Sequence, residues 1–195
     1  MPEKFNFGAF PTLQTTRLDL VEFDAKFVSD VFVVRSDPIV QLYNSEPHQT
    51  RDETLRFIEE QLAKYTRRQE ITWGLLVREL GRVVGCVTLF DWDSYHRRAQ
   101  IGYDLARDQW GHGLAQEAIR RILSFAFEEM DLNRVEIWTS AANDRSLKLA
   151  SRLGFTLDGT LRGRILEDDR QFHDCSIFGL LRDEWTNSGR TAPGV

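Results

Sequence analysis

The chain has 195 residues, of which 42% are hydrophobic and 28% charged, a balance typical of a globular protein and not of a disordered or fibrous one. Its net charge of −5 argues against direct nucleic-acid binding, which needs a basic surface, and better suits a cationic or amine substrate. Cys86 and Cys175 are too few for a disulfide scaffold, which predicts a reducing, cytoplasmic location. No stretch approaches the roughly 18 apolar residues of a membrane span, so no membrane association is expected.

The N-terminal part predicts a strand followed by two helices. The first fifteen residues read as a loose arm, and the alternating segment 17–23 predicts a strand. A helix is expected from Asp24 until the Ser-Asp-Pro turn at 36–38, and a second one from near Asp52. The polar, proline-containing segment between them is typical of loops that carry recognition.

The remainder predicts a meander, a central helix and a second group of strands. The expected strands are 71–79, 82–91, 98–106, 135–138, 155–162 and 172–182, and the expected helices are 113–130 and 143–153. The order is therefore strand, two helices, three strands, helix, strand, helix and two strands. We expect one domain over residues 1–185 and a disordered tail over residues 186–195.

The segment from Ile101 to Ala118 carries the strongest chemical signal. A predicted strand runs through Gly111-His112-Gly113 directly into the longest helix. The glycines allow close backbone approach, and the free N–H groups at the helix start attract an anion, of which a pyrophosphate is the natural example. No Gly-Lys-Ser/Thr sequence and no third glycine follow, which argues against a kinase or a dehydrogenase. A lone Gly-x-Gly also fits a plain strand-to-helix turn.

Further motifs recur at fixed distances from this loop. They are Thr16-Arg17-Leu18, Ile101-Gly102-Tyr103, Trp110 to Ala118, Phe125-Ala126-Phe127, Asn143 to Ser146, Leu153-Gly154-Phe155, Gly159 to Arg162 and Asp174. In this order the set resembles the GNAT superfamily of acetyl-CoA-dependent N-acetyltransferases, and within it the RimJ/RimL type. The resemblance implies an α/β (α+β) GNAT fold, with a mostly antiparallel mixed sheet of about seven strands flanked by about four helices.

The resemblance also implies that acetyl-CoA is the co-substrate and where it binds. The family's pyrophosphate loop falls on residues 110–115, with Trp110 in place of the usual polar residue and backbone N–H groups as the ligands. The pantetheine would pair with the strand at 101–105 through its main chain. The implied coenzyme-binding residues are Tyr103, Leu105, Trp110, Gly111, His112, Gly113, Leu114, Ala115, Gln116, Asn143, Arg145 and Ser146.

The implied reaction is direct attack of a neutral amine on the thioester through a tetrahedral intermediate. Ser146 stands where relatives carry a hydroxyl near the sulfur, and Ala150 replaces the tyrosine of many members, so Ser146 is the expected proton donor. Ser146 also fits an ordinary first-turn helix residue after an Asn143 cap. Glu167 is the candidate base, and Asp168, Asp169 and Asp174 could also deprotonate the amine through water. The run Glu167-Asp168-Asp169 equally fits a solvated acidic loop.

The acceptor amine stays open at this stage. A protein or peptide N-terminus, a polyamine, an amino sugar and an amino acid are all compatible with the motifs, and a non-catalytic acyl-CoA-binding sensor is the alternative from another class. Asp91 and Asp93, together with the run at 167–169, predict an acidic acceptor end. The four histidines lack acidic or cysteine partners at ligand spacing, so no metal site is expected. A homodimer is also expected.

Overall fold

One twisted sheet organises the molecule. The computed structural model describes residues 5–167 and 169–189, and in this part of the chain eight strands form a sheet in the order β1-β2-β3-β4-β5-β6-β8-β7 with six α-helices around it. The strands are β1 (Leu13–Gln14), β2 (Leu18–Glu22), β3 (Ile71–Val77), β4 (Arg82–Asp93), β5 (Arg98–Leu105), β6 (Arg134–Ser140), β7 (Thr156–Leu166) and β8 (Phe172–Leu181). The helices are α1 (Val28–Arg35), α2 (Pro38–Gln41), α3 (Arg51–Thr66), α4 (Leu114–Glu128), α5 (Asp144–Leu153) and α6 (Arg182–Gly189).

The predicted mostly antiparallel mixed sheet is confirmed, because β5 and β6 form the one parallel pair among the described strands. Three short elements carried too little pattern to be predicted. Strand β1 has two residues, and α2 has four, started by Pro38 and capped by the Asp37 side chain. Helix α6 extends over residues 186–189, which were expected to be disordered, and residues 190–195 of that predicted tail lie outside the described residues.

The N-terminal arm packs against the sheet and is not loose over residues 5–15. The Trp73 indole donates to the carbonyl of Pro11 at 2.7 Å, and the Tyr65 hydroxyl donates to that of Ala9 at 3.1 Å. The Phe5 ring meets Phe125 of α4 edge to face, with 5.3 Å between the centroids. Aromatic side chains spaced along a short irregular segment give no periodic signal, which is why the sequence did not predict this packing.

The side chains divide between two sides of the sheet. Helix α4 buries most of its circumference against the strands, as its apolar pattern predicts, with Ile119 and Ile122 fully buried. A smaller cluster lies under α1 and α3, where Val31 and Ile58 pack on Val83 of β4. No helix among the described residues is long and apolar enough to cross a membrane.

Strands β5 and β6 separate after a short contact. Their pairing covers Arg98 to Gln100 on β5, and the registered partners on β6 end at Glu136. Both strands then continue, β5 to Leu105 and β6 to Ser140, with no ladder between them in the described structure. Each therefore presents a strand edge to the space between them, and the sheet opens into a cleft.

A close backbone approach fixes β5 on its other edge. Gly85 of β4 faces β5, and a Cβ atom built there would lie 2.3 Å from the Asp104 carbonyl oxygen and 2.9 Å from the Leu105 Cα atom. Both distances are far below van der Waals contact, so β5 can reach its position only beside a glycine.

We therefore predict that Gly85→Ala displaces β5 and lowers the free energy of unfolding by about 1–3 kcal/mol, as overpacking does. The matched control is Gly159→Ala in β7, where an added Cβ would meet nothing within 4 Å. Urea denaturation of both variants gives the measurement. Equal stability of the two variants would contradict the close approach.

Candidate active site

A cavity of about 860 Å³ occupies the opening between β5 and β6. Its walls come from β5, the loop into α4, the start of α5, β6 and the segment around α2. Eleven predicted site residues line it: Tyr103, Leu105, Trp110, Gly111, Gly113, Leu114, Ala115, Gln116, Asn143, Arg145 and Ser146. The structure thus brings together residues that lie up to 43 positions apart in the sequence from Tyr103 to Ser146.

The start of α4 faces this cavity without a side-chain cap. Gly113 is the N-cap residue, with a left-handed φ of 77°, and Gly111 has a φ of 81°. The first intrahelical bond runs from the Glu117 N–H to the Gly113 carbonyl. The N–H groups of Leu114, Ala115 and Gln116 therefore have no partner within the helix. These three donors and the positive end of the helix dipole form an anion-binding feature.

An ion pair holds the glycine loop against the N-terminal strand. Arg17, just before β2, donates its Nε to Glu117 Oε2 at 2.7 Å and its backbone N–H to Glu117 Oε1 at 2.9 Å. The same guanidinium donates to the His112 carbonyl at 2.8 Å. Burial alone would raise the pKa of Glu117, but hydrogen bonds from Thr15 and Arg17 hold that pKa below its usual value. Arg17 therefore ties the N-terminal strand to both the loop and the first turn of α4.

Trp110 connects the two walls of the cavity. Its indole N–H donates to the Leu105 carbonyl at 2.8 Å, which fixes the ring at the end of β5. The Arg145 guanidinium of α5 lies over the ring, 3.9 Å from its centroid. The tryptophan that replaces the family's polar residue thus positions a cation beside the glycine loop.

The start of α5 places a hydroxyl pair at the cavity. The Asn143 side chain accepts from the Ser146 N–H at 3.2 Å, so the predicted cap is present. Ser146 is buried, with 6% of its surface exposed, and it lines the cavity. Burial raises the pKa of the Tyr103 phenol, and hydrogen bonding to Ser146 partly offsets that rise. The sequence assigned only main-chain groups to Tyr103, and the structure adds its side chain.

Two predicted site residues are not part of the cavity lining. The His112 carbonyl is held by Arg17, and Glu167 lies at the end of β7, in the hairpin to β8. The Glu167 carboxylate is 3.8 Å from His173 Nε2, and Asp169 is 2.8 Å from the same nitrogen. The prediction for Asp168 falls outside the described residues. The position of Glu167 depends on the geometry of the β7–β8 turn, which the spacing of residues in the sequence does not reveal.

The predicted acidic acceptor end is corrected by the ion pairs around β4. Asp91 accepts from Arg98 and Gln100 at 3.0 Å each, and Asp93 accepts from the His96 N–H at 2.8 Å. Neither aspartate lines the cavity. The sequence shows two exposed carboxylates near a tryptophan, but in the fold the cross-strand Arg98 pairs with Asp91 at 3.0 Å and lies 3.9 Å from Asp93.

A buried ion pair at the wall of the cavity was not predicted. Asp104 of β5 accepts from Arg35 of α1 at 3.1 Å and from the Cys86 N–H at 3.1 Å. Arg35 also donates to Ser45 at 2.7 Å and so fixes the loop after α2. The residues are 69 positions apart, and no local pattern in the sequence connects them. Within the described residues no cluster of side chains fits a metal ion.

Comparison with known proteins identifies the family. Residues 17–156 match the Acetyltransferase (GNAT) domain, so the chain belongs to this family of acetyl-CoA-dependent acyltransferases. The chain is 31% identical over 175 residues to the N-acetyltransferase p20 of Bacillus licheniformis, covering 89% of this chain and 98% of that protein. It is 26% identical over 174 residues to the N-acetyltransferase YoaA of Bacillus subtilis, with the same coverage of 89% and 98%.

A solved structure supports the fold independently. RimL, a ribosomal L7/L12 alpha-N-protein acetyltransferase in complex with coenzyme A, superimposes with a TM-score of 0.81 and 18% identity. The match covers 89% of this chain and 99% of that chain. The predicted GNAT family and fold are confirmed, and the chain is an N-acetyltransferase of this class.

The loop geometry predicts an acid-sensitive contribution from Glu117. Glu117→Gln should lower the free energy of unfolding at neutral pH, because it removes the ion pair with Arg17. The loss should be only about 1 kcal/mol, since the exposed Arg17 side chain is screened by solvent. The carboxyl has a depressed pKa in the folded protein, so its contribution is present above about pH 4.3 and lost as the pH falls through the folded pKa. The variant should therefore approach the parent protein's stability in acid.

Denaturation between pH 3 and pH 7 measures this difference, and Glu128→Gln on the exposed face of the same helix is the control. A Glu117→Gln difference that stays constant over this range would contradict the ion pair as the cause.

Proposed function

We propose that this protein transfers the acetyl group of acetyl-CoA to a primary amine by direct attack through a tetrahedral intermediate. One observation carries the proposal: the free edge of β5 and the uncapped start of α4 open into the same cavity. A linear cofactor with a pyrophosphate and an amide-containing arm needs these two features side by side. Membership of the GNAT family supports this choice of cofactor.

The proposed coenzyme site follows the two cavity walls. Backbone N–H groups of Leu114, Ala115 and Gln116 bind the pyrophosphate, with Gly111 and Gly113 leaving room for its approach. The Arg145 guanidinium, held over the indole of Trp110, adds a positive charge for a phosphate. The pantetheine amides pair with the main chain at Tyr103 and Leu105, and Asn143 contacts the same arm. His112 takes part through the loop backbone.

The proposed reaction consists of attack on the thioester, cleavage of the C–S bond with protonation of the sulfur, and loss of the ammonium proton. The neutral amine attacks the thioester carbonyl, and a backbone N–H on the edge of β5 stabilises the oxyanion. Collapse breaks the C–S bond as the Ser146 hydroxyl, which Tyr103 supports, donates its proton to the leaving sulfur, and the serine regains a proton from the cleft water that receives the ammonium proton. The ammonium proton leaves to cleft water. Glu167 has no part in this proposal, because it lies outside the cavity lining.

The proposal also covers the acceptor, the cellular location and the oligomeric state. The acceptor is a protein or peptide N-terminus or a small amine, and no direct nucleic-acid or membrane binding is involved. Both cysteines are buried free thiols, which supports the cytoplasm as the location. A homodimer is proposed, and the exposed Leu166 and Phe172 of the β7–β8 hairpin offer apolar surface for it. An acyl-CoA sensor would bind acetyl-CoA but release no thiol with any amine.

We predict that Gly113→Val weakens coenzyme A binding about 100-fold, or about 3 kcal/mol, because a β-branched residue strains the left-handed turn and misplaces several N–H donors. Calorimetric titration with coenzyme A measures the loss. The control is Gly81→Val, which has a comparable φ of 62° in the β3–β4 turn but does not line the cavity. Unchanged affinity in a folded Gly113→Val protein would place the phosphate site elsewhere.

We further predict that Ser146→Ala slows the chemical step roughly 100-fold while coenzyme A affinity stays near that of the parent protein. Tyr103→Phe should also slow it, and the double variant should lose about as much as Ser146→Ala alone, because the two hydroxyls act as one unit. Single-turnover thiol release measures these rates. Ser151→Ala, on the exposed side of α5, is the control. Additive effects, or a near-normal rate for Ser146→Ala, would contradict the assignment.

A further inference from the structure

The cavity has a second wall whose chemistry differs from that of the phosphate end. Ile39 of α2 and Leu42 and Tyr43 after it line the cavity, as does Trp138 of β6. All four side chains are substantially exposed, and together they are named the apolar wall. The Tyr43 hydroxyl donates to the Ala142 carbonyl at 3.3 Å, so this wall joins the turn that leads into α5.

Each of the carboxylates that line the cavity has a cation near it, and only one of these pairs is buried. Within the described residues these carboxylates are Asp104 and Asp144. Asp104 is 6% exposed and is held by Arg35, and Asp144 is 3.6 Å from Lys148. Glu136, next to the apolar wall, accepts from Trp138 and from Arg134.

Cations also line the cavity, and one of them, Arg145, is assigned above to a coenzyme phosphate. These cations include Arg145, Lys148 and Arg152, against the two carboxylates above. Arg164 adds another charge near the apolar wall, 6.0 Å from the Trp138 ring centroid. At the apolar wall, a second ammonium group on the acceptor would meet apolar surface and the Arg164 charge, and none of the four residues of this wall offers a carboxylate to pair with it.

We propose that the acceptor is a monoamine whose body is uncharged and apolar, seated on the apolar wall, and that diamines and polyamines are poor substrates. This inference rests on the proposed function and narrows its acceptor class. Apolar contact orients the amine toward the thioester, whereas a distal charge would have to be desolvated without a partner. The negative net charge of the chain does not favour a diamine acceptor, because the carboxylates lie away from the apolar wall or are paired with arginines.

The test compares hexylamine with 1,5-diaminopentane, which replaces the terminal methyl group by an ammonium at nearly equal length. With acetyl-CoA saturating, hexylamine should give a kcat/KM at least about tenfold higher, measured as free thiol released. Ile39→Asp places a carboxylate on the apolar wall and should shift the ratio about fivefold toward the diamine. Val33→Asp, an exposed position on α1 outside the cavity lining, should leave the ratio unchanged.

The outcomes separate this inference from the proposed function. Equal or better turnover of the diamine, or a ratio that Ile39→Asp does not move, overturns the inference and leaves acetyl transfer intact. Calorimetric binding of acetyl-CoA without thiol release from either amine also overturns it. Failure of acetyl-CoA to bind overturns the proposed function itself, and the inference with it.

Discussion

The architecture of this protein depends on where β5 and β6 stop pairing. Three registered pairs, ending at Gln100 and Glu136, hold the two halves of the sheet together, and beyond them the strands separate. A strand edge left unpaired inside a fold is costly unless something bonds to it. The unpaired strand edges in this cleft therefore offer backbone N–H and C=O groups to a ligand that carries amide groups.

Two ion pairs keep the walls of that gap in place. Arg17 and Glu117 fix the glycine loop against the N-terminal strand, and Arg35 and Asp104 fix α1 and the following loop against β5. The first pair is partly exposed and contributes modestly, whereas the second is buried and costly to break from one side. Gly85 completes the arrangement, because it allows β4 to hold β5 from the opposite edge.

Periodic patterns predicted the long elements, since α4 and the meander strands repeat their apolar residues over many positions, whereas the family was predicted from the resemblance of the motifs around the glycine loop. The glycine loop was also predictable, because Gly111 and Gly113 are needed for its left-handed torsions. The short β1 and α2, the aromatic arm and the hydroxyl pair of Tyr103 and Ser146 were not. These features depend on contacts between distant residues, which local spacing does not encode. Charge counting failed for the same reason at Asp91, which arginine neutralises across the strands.

The central claim is that one ligand spans the free edge of β5 and the uncapped start of α4. Titration of ¹⁵N-labelled protein with coenzyme A, followed through the assigned amide spectrum, tests it most directly. The account predicts that the largest shifts occur at the amides of residues 101–105 and of Leu114, Ala115 and Gln116. Shifts confined to the β7–β8 hairpin, or to the α4 start without β5, would contradict it.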